Sequence, residues 1–209
     1  MVSHFKKRVV LAIIVDKEAK RKTIACSCKE ILLQHGINNL TIAQIAKTAG
    51  VGKGTIYEYF ENKEDIVFEI ITVFIAEYEA LLQELLTHDM STKEKVFHFC
   101  YKMHENEEGE RQLKIYREFL AISMTSGTQG MIDFNMKCRK KFEIILHEIL
   151  QIGIKKGEIS ENAEALVSGL IVYKLGLVVE AQTSAVDVKV EAEQFLNALF
   201  SLIEIKESR

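Results

Sequence analysis

An all-α fold is predicted by three features of this chain. Its 209 residues contain no proline and only 11 glycines, so helix-breaking punctuation is scarce. Hydrophobic residues make up 48%, enough for a sizeable core, and the turn signals that separate strands are missing almost everywhere. Residues 41–63 read as a short helix, a glycine turn and a second short helix with a polar outer face. That helix-turn-helix makes double-stranded DNA the first partner to consider.

The elements follow in order. Residues 5–15 join the basic cluster Lys6, Lys7, Arg8 to seven apolar residues. This run is too short to span a bilayer and lacks a small-residue cleavage site, so neither a membrane anchor nor a signal peptide is expected. It reads as a helix extension, an arm packing on a partner subunit or an artefact of the start; a basic arm reaching the minor groove is a further option. Helix one is predicted over 16–35, with Ile24, Cys28, Ile31 and Leu32 inward and Gly36 ending it. Ile37 and Leu40 pack the corner that follows.

Thr41 and Gln44 form a capping box that opens the second helix. Its inward stripe is Ile42, Ile45, Ala46 and Ala49. Gly50 supplies the positive φ of a tight exit, and Val51 plugs the corner. The next helix opens at Gly52 or Lys53. At 100° per residue, Ile56 and Phe60 face inward, which leaves Gly54 and Glu58 pointing outward, flanked by Thr55 and Tyr57. Such an exterior suits a major groove, with side chains at base edges and hydroxyls and ammonium groups on phosphates. Gly54 removes a side chain where two backbones would approach. A fourth helix, capped by Asn62 and helped at its N-terminus by Glu64 and Asp65, runs to about residue 87.

The stretch 16–67 resembles the DNA-binding domain of the TetR family of bacterial transcriptional repressors, through Thr41-Ile42-Ala43-Gln44-Ile45-Ala46, then Gly50 to Phe60, then Asn62-Lys63-Glu64-Asp65. The resemblance implies that Lys53, Thr55 and Glu58 sit near base edges. It implies that Tyr57, Tyr59 and Lys63 hold phosphates and that Thr41 lies at the DNA-facing start of its helix. The domains expected are 1–66 for DNA binding and 67–209 for ligand binding and dimerisation. Charge agrees: residues 1–66 hold 11 Lys/Arg against 7 Asp/Glu, a balance of +4, which leaves −7 for the rest of a chain whose net charge is −3.

Beyond residue 88 periodicity carries the reading. Helices are expected over 93–105, 111–124 and 131–156, separated by a charged loop or helix end at 105–110 and a break at 126–130, with Gly157 ending the third. Residues 163–182 are apolar nearly all round, Lys174 and Glu180 being their only charges after Glu164, so this helix should be buried on most sides. Gly169 and Gly176 share a face. With 189–206 it would supply two helices to a four-helix bundle between two chains, which makes a homodimer the expected assembly. Completion of a monomer core is the plainer alternative.

The family resemblance further implies a small-molecule cavity in the middle helices, for an apolar or aromatic effector. Tyr101, His104, Tyr116, Phe119 and Tyr173 are its expected lining. Fourth-helix movement would couple effector to operator. Catalytic motifs are absent, so no enzyme and no catalytic residue is expected. Cys26, Cys28, Cys100 and Cys138 read as reduced cytosolic thiols, and the six histidines lack metal-ligand spacing, so no metal or other cofactor is expected. The function anticipated is a cytoplasmic repressor on a palindromic operator, released by its ligand. A chromosome-organising or cell-division protein on the same fold is the alternative.

Overall fold

The computed structural model describes residues 16–205 and is helical throughout, with one isolated antiparallel bridge between Ile159 and Glu204. The apolar N-terminal segment 5–15, for which three readings stood open, lies outside the described residues. Two compact units divide between Ala76 and Glu77.

The first unit holds α1 (16–27), α2 (Lys29–Asn39), α3 (Ile42–Thr48), α4 (Lys53–Tyr59) and the first half of α5 (Lys63–Thr87). A single turn residue, Cys28, separates α1 from α2, and helical geometry then lasts until Gly36, whose φ of 74° interrupts it. Ile24, Cys28 and Leu32 are buried as the spacing predicts; Ala25 and Leu33 join them, while Ile31 is only half-buried. Thr41 and Gln44 make the reciprocal capping box. Gly50 (φ 66°) completes a six-residue exit turn. Its N–H bonds to Lys47 at 3.3 Å and that of Val51 to Ala46 at 3.0 Å, so the last carbonyls of α3 are satisfied. Ile45 and Ile56, both at 0% exposure, fix α3 against α4, each stabilising by roughly 1.5–3 kcal/mol on burial.

In the second unit α6 (Thr92–Tyr101) is the central element, packed by α8 (Gln129–Lys155), α9 (Val167–Thr183) and α10 (Val188–Ile203). Its core joins Leu82 of α5, Phe99 of α6, Ile149 of α8, Leu170 of α9 and Phe200 of α10. α7 (Glu107–Ser126) and two short 3₁₀ turns, Lys102–His104 and Glu161–Leu166, complete it.

Several boundaries differ from the sequence reading, each for a local reason. A capping box between Ser91 and Glu94 starts α6, and the helix tightens to 3₁₀ geometry after Tyr101. Asn106 accepts from the Gly109 N–H at 2.8 Å, so Glu107, Glu108 and Glu110, read as a loop or helix end, occupy the first turn of α7 where their charges oppose the helix dipole favourably. Thr128 caps α8 in the same way and shortens the break to Gly127 and Thr128. A Cβ on Gly153 would lie 2.2 Å from Thr92 Oγ1, so the absence of a side chain there lets α8 approach the start of α6.

The helix over 163–182 departs most. Its first part is 3₁₀, and α9 buries Leu170, Ile171, Leu177 and Val178 but leaves Val172 57% and Val179 42% exposed. Within one chain it is therefore covered on one side only.

Candidate DNA-binding face and effector cavity

The DNA-binding candidates all reach the surface of the first unit. Burial of Ile56 and Phe60 turns the opposite side of α4 outward, exposing Lys53, Gly54, Tyr57 (60% exposed) and Glu58. Thr55 and Tyr59 flank them half-buried. Thr41 is exposed at the start of α3, its hydroxyl donating to Gln44 Oε1 at 2.7 Å. Lys63, half-buried at the start of α5, donates to the Asn38 carbonyl at 3.3 Å, which leaves two of its three N–H donors for a phosphate. A Cβ built on Gly54 meets nothing within 4 Å, so the fold itself does not require glycine there.

Arg21 of α1 sets this surface from behind. Its guanidinium donates to the carbonyl of Tyr59, the last residue of α4, and to both carboxylate oxygens of Asp65, at 3.1 and 2.7 Å. It also lies 4.4 Å from the ring centre of Phe60. The Asp65 hydrogen bond is the largest cause of the raised Arg21 pKa. At Asp65 burial is the largest single effect and pushes the pKa up, but the Arg21 hydrogen bond, the Glu61 N–H and the Arg21 charge together bring it below the ordinary carboxylate value. Sequence reasoning missed Arg21, because its partners stand 38 and 44 residues away.

In the second unit a cavity of about 440 Å³ lies between α7, α8 and α9. That size falls within the range of small-molecule sites, roughly 300–1,000 Å³. Of the expected lining residues Tyr116 borders it, its phenol pushed up to about 12 by burial. Phe119 is buried beside it, stacked on Tyr116 with ring centres 6.5 Å apart.

The other expected residues do not line this cavity. Tyr101 stacks on His104 at 5.7 Å. His104 Nδ1 lies 2.6 Å from Glu110, and Nε2 is buried without a partner among the described residues. Burial lowers the His104 pKa despite the carboxylate. Tyr173 faces α10, stacked on Phe195 at 3.9 Å and donating to the Glu191 carbonyl at 3.2 Å. A second cavity of about 650 Å³ is lined by more charged groups, among them Glu77, Lys102, Glu108 and Arg111.

The cavity between α7, α8 and α9 is also lined by polar groups that the sequence reading did not name, among them Ser123, Arg139, Lys174 and Asn135. Lys174 donates to the Tyr78 hydroxyl at 2.8 Å and to the Phe99 carbonyl at 2.9 Å, with the rings of Tyr78, Phe99 and Phe142 at 4.5, 5.2 and 5.7 Å. Burial of the ammonium lowers its pKa to about 8. Asn135 Oδ1 is buried without a partner among the described residues. A lone lysine in an otherwise apolar helix was the available signal for Lys174; none existed for Asn135. No group of three or more His, Cys, Asp or Glu side chains among the described residues is placed to hold a metal ion.

Comparison with known proteins places these features. The profile described as "Bacterial regulatory proteins, tetR family" matches residues 29–70, which covers α2 to α4 and the start of α5. The fatty acid metabolism regulator protein of Bacillus subtilis is 27% identical over 193 residues, 90% of this chain and 95% of that protein. Among solved structures, a TetR-family regulator from Cytophaga hutchinsonii superposes with a TM-score of 0.73 at 16% identity, over 92% of this chain and 98% of that one. FadR of Bacillus subtilis, crystallised with stearoyl-CoA, gives 0.56 at 24% identity over 86% and 97%. At these identities the structural likenesses speak to the fold.

Proposed function

Because this chain belongs to the TetR family of bacterial regulatory proteins and is a transcriptional regulator, we propose that it is a repressor. It binds a palindromic operator as a homodimer and is released by a small molecule held in the second unit. The observation that carries this reading is the outward face of α4, where Lys53, Gly54, Thr55, Tyr57 and Glu58 reach solvent around a buried Ile56. Lys53, Thr55 and Glu58 read base edges, while Tyr57, Tyr59 and Lys63 hold phosphates and Thr41 approaches the backbone from α3.

The dimer is supported by the uncovered face of α9. Gly169, Val172, Gly176 and Val179 recur at helical spacing on that face, and Cβ atoms built on both glycines meet nothing within 4 Å. Exposed Val190, Phe195 and Leu202 of α10 extend the apolar surface. Segment Glu161–Thr183 is apolar and long enough to cross a membrane by length and composition, yet its five buried residues, Ala163 and the four of α9, pack on the body, and a second copy covers the remainder. On a palindromic operator the two α4 helices of such a dimer would read half-sites roughly one DNA turn, about 34 Å, apart.

The effector binds in the cavity between α7, α8 and α9, as an apolar molecule with few polar groups. Binding more tightly to the DNA-free state lowers operator affinity, and by linkage DNA lowers effector affinity equally. A near-complete switch needs a differential of roughly 5 kcal/mol. Nuclease footprinting upstream of the protein's own gene, followed by genome-wide mapping, tests the reading. One protected palindrome and few other sites support it, whereas many dispersed sites favour a chromosome-organising role.

A further inference from the structure

The cavity between α7, α8 and α9 contains a cation without an anion. Among the described residues Lys174 makes no ion pair: its ammonium bonds to a hydroxyl and a carbonyl and is surrounded by three aromatic rings. Two of its three N–H donors are used by the protein, which leaves one. Burying a charge without a counter-ion is unfavourable, so an arriving anion gains more here than at a solvated lysine. Lys174 is half-buried and borders the cavity, while Tyr78 and Phe99 behind it are 4% and 0% exposed. The cavity's other lining includes Met124, Ile132 and Met136, exposed at 79, 47 and 63%. The lining thus runs from an interior ammonium to an apolar rim.

We propose that the effector is an amphiphilic organic acid whose anionic group pairs with Lys174 and whose apolar body extends toward the rim of Met124, Ile132 and Met136. This rests on the reading of the cavity as the effector site. Asn135 Oδ1, which lines the same cavity without a partner, accepts an N–H or O–H of the effector where one is present. A thioester conjugate of the same acid lacks the anion at that end and loses the pairing.

A pH dependence follows. Anion binding favours the charged lysine, and the free ammonium loses its proton near pH 8, so affinity for the acid falls as pH rises above about 8. Tyr78 on α5, Cys100 on α6, His104 after α6, Tyr116 on α7, whose phenol burial holds at about 12, and Cys138 and Arg139 on α8 are the titratable and charged groups around the site. Burial pushes Cys100 and Cys138 up to about 11 and Tyr78 well above 10, and it lowers His104 below 6.5. None of these four crosses the same window. The carboxylates of Glu105 and Glu110 bear on Tyr78 and His104.

The test is calorimetric titration of the full-length protein with dodecanoate, 1-dodecanol and lauroyl-CoA, beside the Lys174→Met variant. That variant keeps an unbranched apolar stem, one atom shorter and without the ammonium, and leaves the bond from the Tyr78 hydroxyl to the Phe99 carbonyl, 2.7 Å, in place. The wild type should prefer dodecanoate over dodecanol by roughly ten- to a hundred-fold, and the variant should lose that preference while still binding the alcohol. In the wild type the preference should shrink between pH 7 and 9.5, which tests the proposal even if the variant does not fold. Acid and alcohol bound alike, or lauroyl-CoA bound more tightly than the acid with no effect of the substitution, overturns the proposal and keeps the cavity as an effector site. Binding of none of the three overturns both.

Discussion

Arg21 Nη2 donates to Asp65 Oδ1 at 2.7 Å, and the same guanidinium holds the Tyr59 carbonyl that ends α4. One side chain thereby joins α1, α4 and α5. Replacement by methionine leaves Asp65 and Glu69 without their cation, and it should destabilise the first unit by about 1–3 kcal/mol, seen as a lower Tm. Because the folded-state pKa of Asp65 is depressed, the stabilisation is present above the unfolded value near 4 and lost as pH falls through the lower folded one. The Tm gap between wild type and variant should therefore be wide at pH 7 and narrow at pH 3. An equal gap at both would mean that packing on Phe60, not charge, is what Arg21 contributes.

Gly54 separates folding from binding. Alanine there has open space around its Cβ and a better helix propensity, so Gly54→Ala should raise stability by up to about 1 kcal/mol. Gly54→Leu should fold equally well and lose operator affinity by roughly a hundred-fold, since its side chain occupies the space of approach to DNA. Retained binding by the leucine variant would move the contact surface away from this residue.

Base reading and phosphate holding predict different losses. Thr55→Ala should cost roughly 1–3 kcal/mol on the operator and little on random DNA, whereas Lys63→Ala should weaken both and reduce the salt slope by about one. Lys63 also bonds to the Asn38 carbonyl, so its variant should melt slightly earlier. Equal losses on operator and random DNA in both variants would contradict these assignments.

What the sequence made legible was local. The capping box at Thr41, the turn at Gly50 and the inward pair Ile56 and Phe60 depend on residues within a few positions of one another, and each appears in the structure. The Ser91–Glu94 box and the Asn106 cap obey the same grammar but stood among charged residues that read as loop or helix end. Arg21 and Lys174 were beyond reach for another reason. Their partners are brought to them only by folding: Asp65 lies 44 residues from Arg21, and Tyr78 lies 96 from Lys174. At α9 composition could show apolarity but not which side the chain covers, and Val172 and Val179 stay exposed.

The uncovered face of α9 makes its own prediction. Gly176→Glu fits the chain without steric conflict but places a charge on the apolar surface, so it should convert dimers into monomers in sedimentation and weaken operator binding through lost avidity. A dimer that persists would put the interface elsewhere.

The most direct test is a fluorescence-anisotropy titration of the protein against the DNA upstream of its own gene, beside a shuffled fragment, across a series of salt concentrations. Regulation through a specific operator predicts salt-dependent binding that prefers the native fragment by on the order of a thousand-fold or more. Weak binding with the same affinity for both fragments at every salt concentration would contradict it.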